Sequence, residues 1–260
     1  VDAINFRIMV FDYDGNYLRN INYPRKLDNH KWNVVKDICV DKDNVYLLSN
    51  SDKSIYVIDI HKEDVIFKIT GKDTESKKFG SINRIALDAK GNLLVPDTWD
   101  NSLYTYHRVG NEFKMISKQP YLGDDQLISD VEGLSYKIRS DSSKVVITNS
   151  TGKNIGNYSY TLSTGGSTIL GVDDNQNIYI RTFESDTPEA QFTQASYVKV
   201  ISQSGVILNN FKVTPWSGGP ITRDVAIDRN GNIFLASFDS PSAKSLDAPP
   251  TEFIIRMICK

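Results

Sequence analysis

Three acidic residues, Asp37, Glu132 and Asp224, each stand at the start of an apolar run that is typical of a β-strand. Asp97 and Asn149 end the strand that follows in their own copies of the pattern. Carboxylate and amide oxygens are the hard ligands that Ca²⁺ takes, usually about six to eight together with water. The five residues could therefore hold a divalent cation, provided that the elements that carry them bring them to one place.

Those elements repeat along the chain. The segments that begin at Lys36 and at Asn83 match turn for turn, and a third copy begins at Arg223. Each copy alternates apolar and polar residues and is rich in Val, Ile, Tyr and Phe, and turns such as KGN and RNGN supply residues that tolerate positive φ. The pattern predicts tight hairpins between short strands, and it shows no sustained helical period.

One aspartate marks the same phase in four copies, and Tyr136 holds that place in a fifth. The period is about 47 residues, which is the length of a four-stranded propeller blade. The aspartates are Asp41, Asp88, Asp173 and Asp228. We expect them to accept hydrogen bonds within their turns.

The predicted fold is all-β, a β-propeller of four-stranded antiparallel blades that forms a single domain over residues 1–260. Residues at equal phase would then meet near the central channel. Six segments resemble third strands, but five resemble inner strands, so the first blade is expected to be incomplete. Six blades are favoured, and five stay open if the N-terminal hairpin completes the last sheet.

The segments IALDAKGNLLVPDTWDNSLYTY and VAIDRNGNIFLASFDS resemble NHL repeats. More distantly, the chain is similar to the six-bladed regucalcin and gluconolactonase propellers. In that family a Glu, an Asn and an Asp bind a divalent metal that polarises a lactone or ester carbonyl. By this resemblance Glu132, Asn149 and Asp224 are the candidates, although the family's Glu lies in an early blade and Glu132 lies mid-chain. Aspartates that only accept backbone hydrogen bonds are the alternative.

Three tryptophans, Trp32, Trp99 and Trp216, lie in connections that are predicted to share one face of the propeller with the long loops 183–194 and 238–250. Aromatic residues on loops often form recognition surfaces because a rigid ring gives a large contact area at a small entropic cost. Filling gaps between neighbouring blades is the alternative.

Charge and length exclude other classes of function. The 30 basic and 32 acidic residues give a net charge of -2, which provides no general attraction for nucleic acid. The longest apolar runs are far shorter than the ~20 residues of a membrane-spanning helix. The chain begins at Val1 without a recognisable leader, which permits a trimmed, exported protein, and we expect an extracellular or cell-envelope location.

Two functions follow. The first is a non-catalytic binding propeller that recognises a protein, a glycan or a small molecule on its loop face. The alternative is a Ca²⁺-dependent lactonase or esterase that uses the carboxylates at the channel mouth. The sequence leaves open whether the chain is an enzyme, although it favours a binding role. Ca²⁺ is the one candidate cofactor. A third, weaker hypothesis is that the chain is one module of a larger assembly.

Overall fold

The computed structural model describes residues 1, 6–12, 14, 16–23, 35–71, 78–88, 90–110, 112–121, 125–129, 134–139, 144–148, 153–159, 167–185, 194–213, 225–239 and 252–258. Over these residues the chain is all-β and contains no helix, as the sequence predicts. No helix that could cross a membrane occurs in this part of the chain.

Over the described residues the strands form six sheets, and each sheet follows chain order. Sheet I is a hairpin of two strands, β1 (Arg7–Phe11) and β2 (Tyr17–Asn22). Sheet II consists of β3 (Val35–Val40), β4 (Asn44–Ser49), β5 (Ile55–Asp59) and β6 (Val65–Ile69). Sheet III consists of β7 (Ala86–Leu87), β8 (Leu93–Asp97), β9 (Ser102–Val109) and β10 (Glu112–Pro120).

Sheet IV consists of β11 (Asp125–Ser129), β12 (Ser135–Arg139), β13 (Lys144–Thr148) and β14 (Asn154–Ser159). Sheet V consists of β15 (Ser167–Val172), β16 (Ile178–Ser185), β17 (Gln194–Ile201) and β18 (Ile207–Val213). Sheet VI has three strands, β19 (Val225–Ile227), β20 (Ile233–Asp239) and β21 (Glu252–Ile258). Sheets II to V thus have the four strands that the repeat predicts for a blade.

The chain divides into two compact units, each described here by itself. The first comprises residues 1–12, 16–137 and 147–155, and it contains sheets I, II and III. The second comprises residues 13–15, 138–146 and 156–260, and it contains sheets V and VI.

In the first unit, sheets II and III share one apolar core. Every residue of β4 and β8 is buried, and because side chains alternate between the two faces of a strand, both faces of each sheet must be covered. Tyr46 of β4 packs edge-on against Phe113 of β10 at 6.0 Å between ring centroids. Stacking therefore supplies the core, since a single four-stranded sheet cannot bury both of its own faces.

The second unit packs sheet V against sheet VI in the same way. Tyr179, Val198, Val200 and Ile233 are almost wholly buried in one cluster. A Cβ atom at Gly171 of β15 would lie 2.5 Å from Ile227 of β19, so these neighbouring strands approach closely only because residue 171 is glycine.

The aspartates at the repeated phase stabilise the turns that follow the first strands of four sheets, which confirms the structural role predicted for them. In each case the carboxylate accepts hydrogen bonds from both the backbone and the side-chain N–H groups of a following asparagine, at 2.7 to 3.0 Å. The pairs are Asp41 with Asn44, Asp88 with Asn92, Asp173 with Asn177, and Asp228 with Asn232.

The predicted strand register is wrong in sheet IV. The segment from Glu132 was expected to be the innermost strand, but β12 lies between β11 and β13 and so pairs on both sides. β11 contacts β7, as β3 does, which identifies β11 as the first strand of this sheet. Tyr136 accordingly lies buried within the second strand, and Asn149 follows the third strand rather than the second.

Candidate functional site

The turn between β8 and β9 is fixed by one buried carboxylate. Asp97 ends β8 and has no exposed surface. Its Oδ2 atom accepts the N–H of Gly80 at 2.7 Å, and its Oδ1 atom accepts the N–H groups of Ser81 at 2.9 Å and Trp99 at 3.0 Å. A buried carboxylate needs such partners, and here they tie the turn to the connection between β6 and β7.

Trp99 stands on this turn with 80% of its surface exposed. It does not fill a gap between sheets, so that reading of this tryptophan is wrong. A Cβ atom at Gly80 would lie only 2.6 Å from Cγ of Trp99, so the Gly80 backbone supports the base of the side chain closely. The base of the Trp99 side chain thus lies against the Gly80 backbone, and most of the indole is exposed to solvent.

The next residues of the turn are held by a second carboxylate. The Tyr104 hydroxyl donates a hydrogen bond to Oδ2 of Asp100. Lys118 lies opposite Tyr104 on the neighbouring strand, with its ammonium 3.6 Å from Asp100 Oδ2 and 5.4 Å from the centroid of the Tyr104 ring. The backbone of the turn is also fixed, because the Tyr121 N–H donates to the carbonyl of Asn101 at 2.6 Å.

Sheet II builds the same turn between β4 and β5. The Tyr56 hydroxyl donates to Oδ2 of Asp52, and the ammonium of Lys68 lies 3.0 Å from the same oxygen. Burial raises the pKa of the Asp52 carboxyl, but the hydrogen bonds from Tyr56 and Lys68 outweigh it and hold that pKa well below its usual value. Burial and the Asp52 carboxylate raise the pKa of Tyr56 to about 12, so its hydroxyl is a donor at neutral pH.

The two turns differ at the position of the tryptophan. Lys53 and Asn101 occupy the same place and both have positive φ, +56° and +52°. Two positions earlier, sheet II has Ser51 where sheet III has Trp99. Because the same turn forms with serine, its conformation does not require the indole.

The two turns adjoin each other in the first unit. The ammonium of Lys53 donates to the carbonyl of Gly80, whose N–H is held by Asp97. We call the surface formed by Lys53, Gly80, Ser81, Trp99 and Asn101 the Trp99 platform. Its residues come from two neighbouring sheets. For these two sheets it confirms the prediction that the turns between second and third strands lie on the same face as the connection from one sheet to the next.

The structure gives the predicted metal ligands Asp37 and Asp97 other roles. Oδ2 of Asp37 accepts the Ile85 N–H at 2.9 Å, which links β3 to the connection that precedes β7. Asp97 is the anchor described above, and its two oxygens accept three backbone N–H groups, so it does not fit a calcium ligand. Within the described ranges, no group of three or more His, Cys, Asp or Glu side chains could hold a metal ion.

The remaining predicted site residues lie outside the described residues. They are the metal candidates Glu132, Asn149 and Asp224 and the tryptophans Trp32 and Trp216.

Sequence reasoning missed the carboxylate, tyrosine and lysine group of the two turns. The sequence pattern that could have revealed this group is present in the segments DKSIY and DNSLY, which place a tyrosine four residues after an aspartate. In both sheets a lysine follows on the next strand. Tyr197 and Lys212 pair in the same cross-strand manner in sheet V, at 6.0 Å from ammonium to ring centroid.

Comparisons with known proteins bear on the fold. No protein-family model matches the chain, so membership of the NHL family is not shown, and no curated protein matches either. Among solved structures, hydrazine synthase of Kuenenia stuttgartiensis is similar with a TM-score of 0.55 at 12% identity, over 91% of this chain and 65% of that chain. This chain thus spans slightly less than two thirds of the length of that protein.

Two further structures are similar to a comparable degree. A streptogramin B lyase has a TM-score of 0.54 at 13% identity, over 89% of this chain and 69% of that chain. The WD40 domain of Toxoplasma gondii coronin has a TM-score of 0.53 at 9% identity, over 80% of this chain and 54% of that chain. WD40 domains are β-propellers of four-stranded blades. At these identities the similarity shows the fold alone, and that fold is the β-propeller.

Proposed function

We propose that this chain is a six-bladed, non-catalytic binding propeller that recognises a protein, a glycan or a small molecule through the face that carries the Trp99 platform. We further propose that it acts outside the cell or in the cell envelope. One observation carries the binding role: Trp99 is 80% exposed on a turn whose counterpart in the neighbouring sheet has Ser51 at the same place.

The energetics of an exposed indole favour recognition. A buried aromatic side chain covers roughly 150–250 Å² and contributes strongly to binding. Exposing that surface to water has no benefit for the fold, since the turn forms without it. Asp97 already holds the backbone of Trp99, and Gly80 lies against the base of its side chain, so binding would cost little additional backbone entropy.

The hydrolase alternative has less support. Of its predicted ligands, Asp37 and Asp97 are engaged in backbone hydrogen bonds, and Glu132, Asn149 and Asp224 lie outside the described residues. No observation on the described residues favours a catalytic role over a binding one. We therefore keep binding as the proposed function.

The experiment is a ligand screen that compares three proteins. Wild type, Trp99→Ala and Val109→Ala are tested by thermal shift against mixed sets of oligosaccharides, peptides and metabolites. Val109 is 49% exposed at the end of β9, so its truncation controls for the loss of any exposed apolar side chain. We expect at least one ligand whose stabilisation is lost only in Trp99→Ala. If every ligand stabilises wild type and Trp99→Ala equally, the proposal fails.

A further inference from the structure

We infer that the Trp99 platform binds carbohydrate, with a sugar ring stacked on the open part of the indole. This inference rests on the proposed binding function and names the class of its ligand. It depends on three features of the described residues: how the indole is held, what surrounds it, and which charges near it are already paired.

The turn that carries the indole is held in place by its neighbours. Its backbone N–H donates to Asp97, and Gly80 lies directly against the base of its side chain. The backbone of residue 98 is also held, since the Thr98 N–H donates to the Ser81 carbonyl at 2.9 Å. A flat aromatic surface on a turn that is already formed suits a flat ligand ring, because the turn need not be ordered on binding.

The surroundings of the indole are polar. Phe79, Ile82 and Ile85 of the adjoining connection are buried, at 2%, 3% and 5% exposure. Neither turn contributes a further large apolar side chain among its described residues, whereas Lys53 and Asn101 are exposed. Among the described residues, the platform is therefore one aromatic ring bordered by hydrogen-bonding groups.

This composition disfavours a protein partner. Stable protein interfaces bury about 800 Å² on each side, and their aromatic anchors lie at the centre of a desolvated, largely apolar patch. In the part of this surface that the structure describes, a single indole with a polar border offers no such centre. The platform is better matched to a small ring that has one apolar face.

The paired charges disfavour a nucleobase. Proteins that stack single-stranded bases combine aromatic rings with a positively charged groove for the phosphates. Here the Lys53 ammonium donates to the Gly80 carbonyl, and the Lys118 ammonium lies 3.6 Å from the Asp100 carboxylate. The ammonium groups of Lys53 and Lys118 thus already have partners, and the chain carries a net charge of -2.

A sugar ring satisfies both features of the platform. The C–H groups on one face of a pyranose are slightly positive and pack on the negative face of an aromatic ring. Its hydroxyl groups lie at the ring edge, where Lys53, Ser81 and Asn101 provide polar groups. Stacking and edge hydrogen bonds would then act together, as expected for a largely pre-formed site.

The test uses the full chain and five neutral oligosaccharides as probes: cellohexaose, maltohexaose, xylohexaose, mannohexaose and chitohexaose. Binding is measured by calorimetry and by saturation-transfer NMR for wild type, Trp99→Ala, Trp99→Phe and the control Ser51→Ala. We expect at least one probe to bind with a Kd of about 1 mM or tighter. Its affinity should fall at least about tenfold in Trp99→Ala and less than about fivefold in Trp99→Phe, which keeps an aromatic face.

The NMR readout separates stacking from indirect effects. Saturation should reach the C–H protons of one sugar face, and Trp99→Ala should remove it while Ser51→Ala leaves it unchanged. If no probe binds, or if binding is the same in Trp99→Ala, the carbohydrate inference is overturned. Should the thermal-shift screen then yield a peptide or metabolite that requires Trp99, the ligand class is wrong and the binding function stands. If no Trp99-dependent ligand of any class is found, both proposals fail.

Discussion

Gly80 and Trp99 fit together only because residue 80 has no side chain. A Cβ atom at position 80 would lie 2.6 Å from Cγ of the indole, closer than such atoms approach in folded proteins. The same glycine presents its N–H to Asp97 and its carbonyl to Lys53, so three contacts of the platform meet at one residue. The conformation of Trp99 is thus coupled to the backbone of the preceding connection.

The first prediction concerns this contact. Gly80→Ala should displace the indole or the connection and lower the free energy of unfolding by about 1–3 kcal/mol, the usual cost of overpacking. Urea denaturation measures the change, and Ser51→Ala on the neighbouring turn is the control, because it leaves the contact between Gly80 and Trp99 in place. An alanine at position 80 that leaves both stability and ligand affinity unchanged would contradict the described contact.

The second prediction concerns acid stability. Tyr56 and Lys68 hold the pKa of Asp52 below its usual value despite burial, so the ionised carboxylate stabilises the folded state. That contribution is present above the unfolded pKa of about 3.9 and is lost as the pH falls towards the folded pKa. Asp52→Asn should therefore destabilise the protein at pH 7 and flatten the loss of stability between about pH 4 and pH 2.

Urea midpoints at several pH values measure this effect. Asp43→Asn is the control, since Asp43 is 61% exposed and its only described ion pair is with His61 at 3.5 Å. An Asp52→Asn protein with the same acid profile as wild type would show that the Asp52, Tyr56 and Lys68 group does not contribute to stability.

The third prediction uses two equivalent glycines. Gly91 and Gly231 follow the repeated aspartates and have positive φ, +75° and +83°, so alanine at either site is strained by about 1–2 kcal/mol. A side chain at position 91 meets nothing within 4 Å, whereas one at position 231 would overlap the Tyr179 hydroxyl, which donates to Asp173 at 3.2 Å. Gly231→Ala should therefore cost at least about 1 kcal/mol more than Gly91→Ala.

Thermal and urea unfolding of the two variants give this comparison directly. Adding Tyr179→Phe to Gly231→Ala should recover part of the difference, because the overlapping oxygen is removed. Equal destabilisation by the two glycine substitutions would argue against the described packing of sheet V on sheet VI.

The fourth prediction separates binding from metal-dependent hydrolysis. We expect the melting temperature to be the same in EDTA and in Ca²⁺, since the proposed function needs no metal. A cation present at about 100 times its Kd would stabilise the folded state by about 2.7 kcal/mol, which is easily detected. A rise with Ca²⁺ that is abolished by Glu132→Gln or Asp224→Asn would favour the hydrolase alternative.

The sequence predicts the strands well because the signals for strands and hairpins are local. Alternation of apolar residues and the Asp to Asn turns, such as Asp88 to Asn92, specify each hairpin within a few residues. Sheet IV was misread because its copy lacks the asparagine that follows the repeated aspartate in the other four, and a fixed period then placed Tyr136 where that aspartate was expected. With β11 as the first strand, Asp130 takes that place in the sequence.

The site was only partly predictable. The sequence places Trp99 on a turn, but exposure depends on how Gly80 and Asp97 arrange the adjoining connection, which lies 16 to 19 residues earlier in the chain. It also marks Asp97 as a candidate metal ligand at a strand end, whereas its burial and its backbone partners appear only in three dimensions. Long-range hydrogen bonds of this kind leave no periodic signal.

Trp99→Ser decides most directly whether Trp99 serves recognition, because it gives sheet III the residue that sheet II has in the same turn. Stability and ligand binding are measured on the same protein. We predict a free energy of unfolding within about 0.5 kcal/mol of wild type together with loss of the ligand found in the screen. A protein that is strongly destabilised, or that still binds the ligand as wild type does, would show that Trp99 serves the fold rather than recognition.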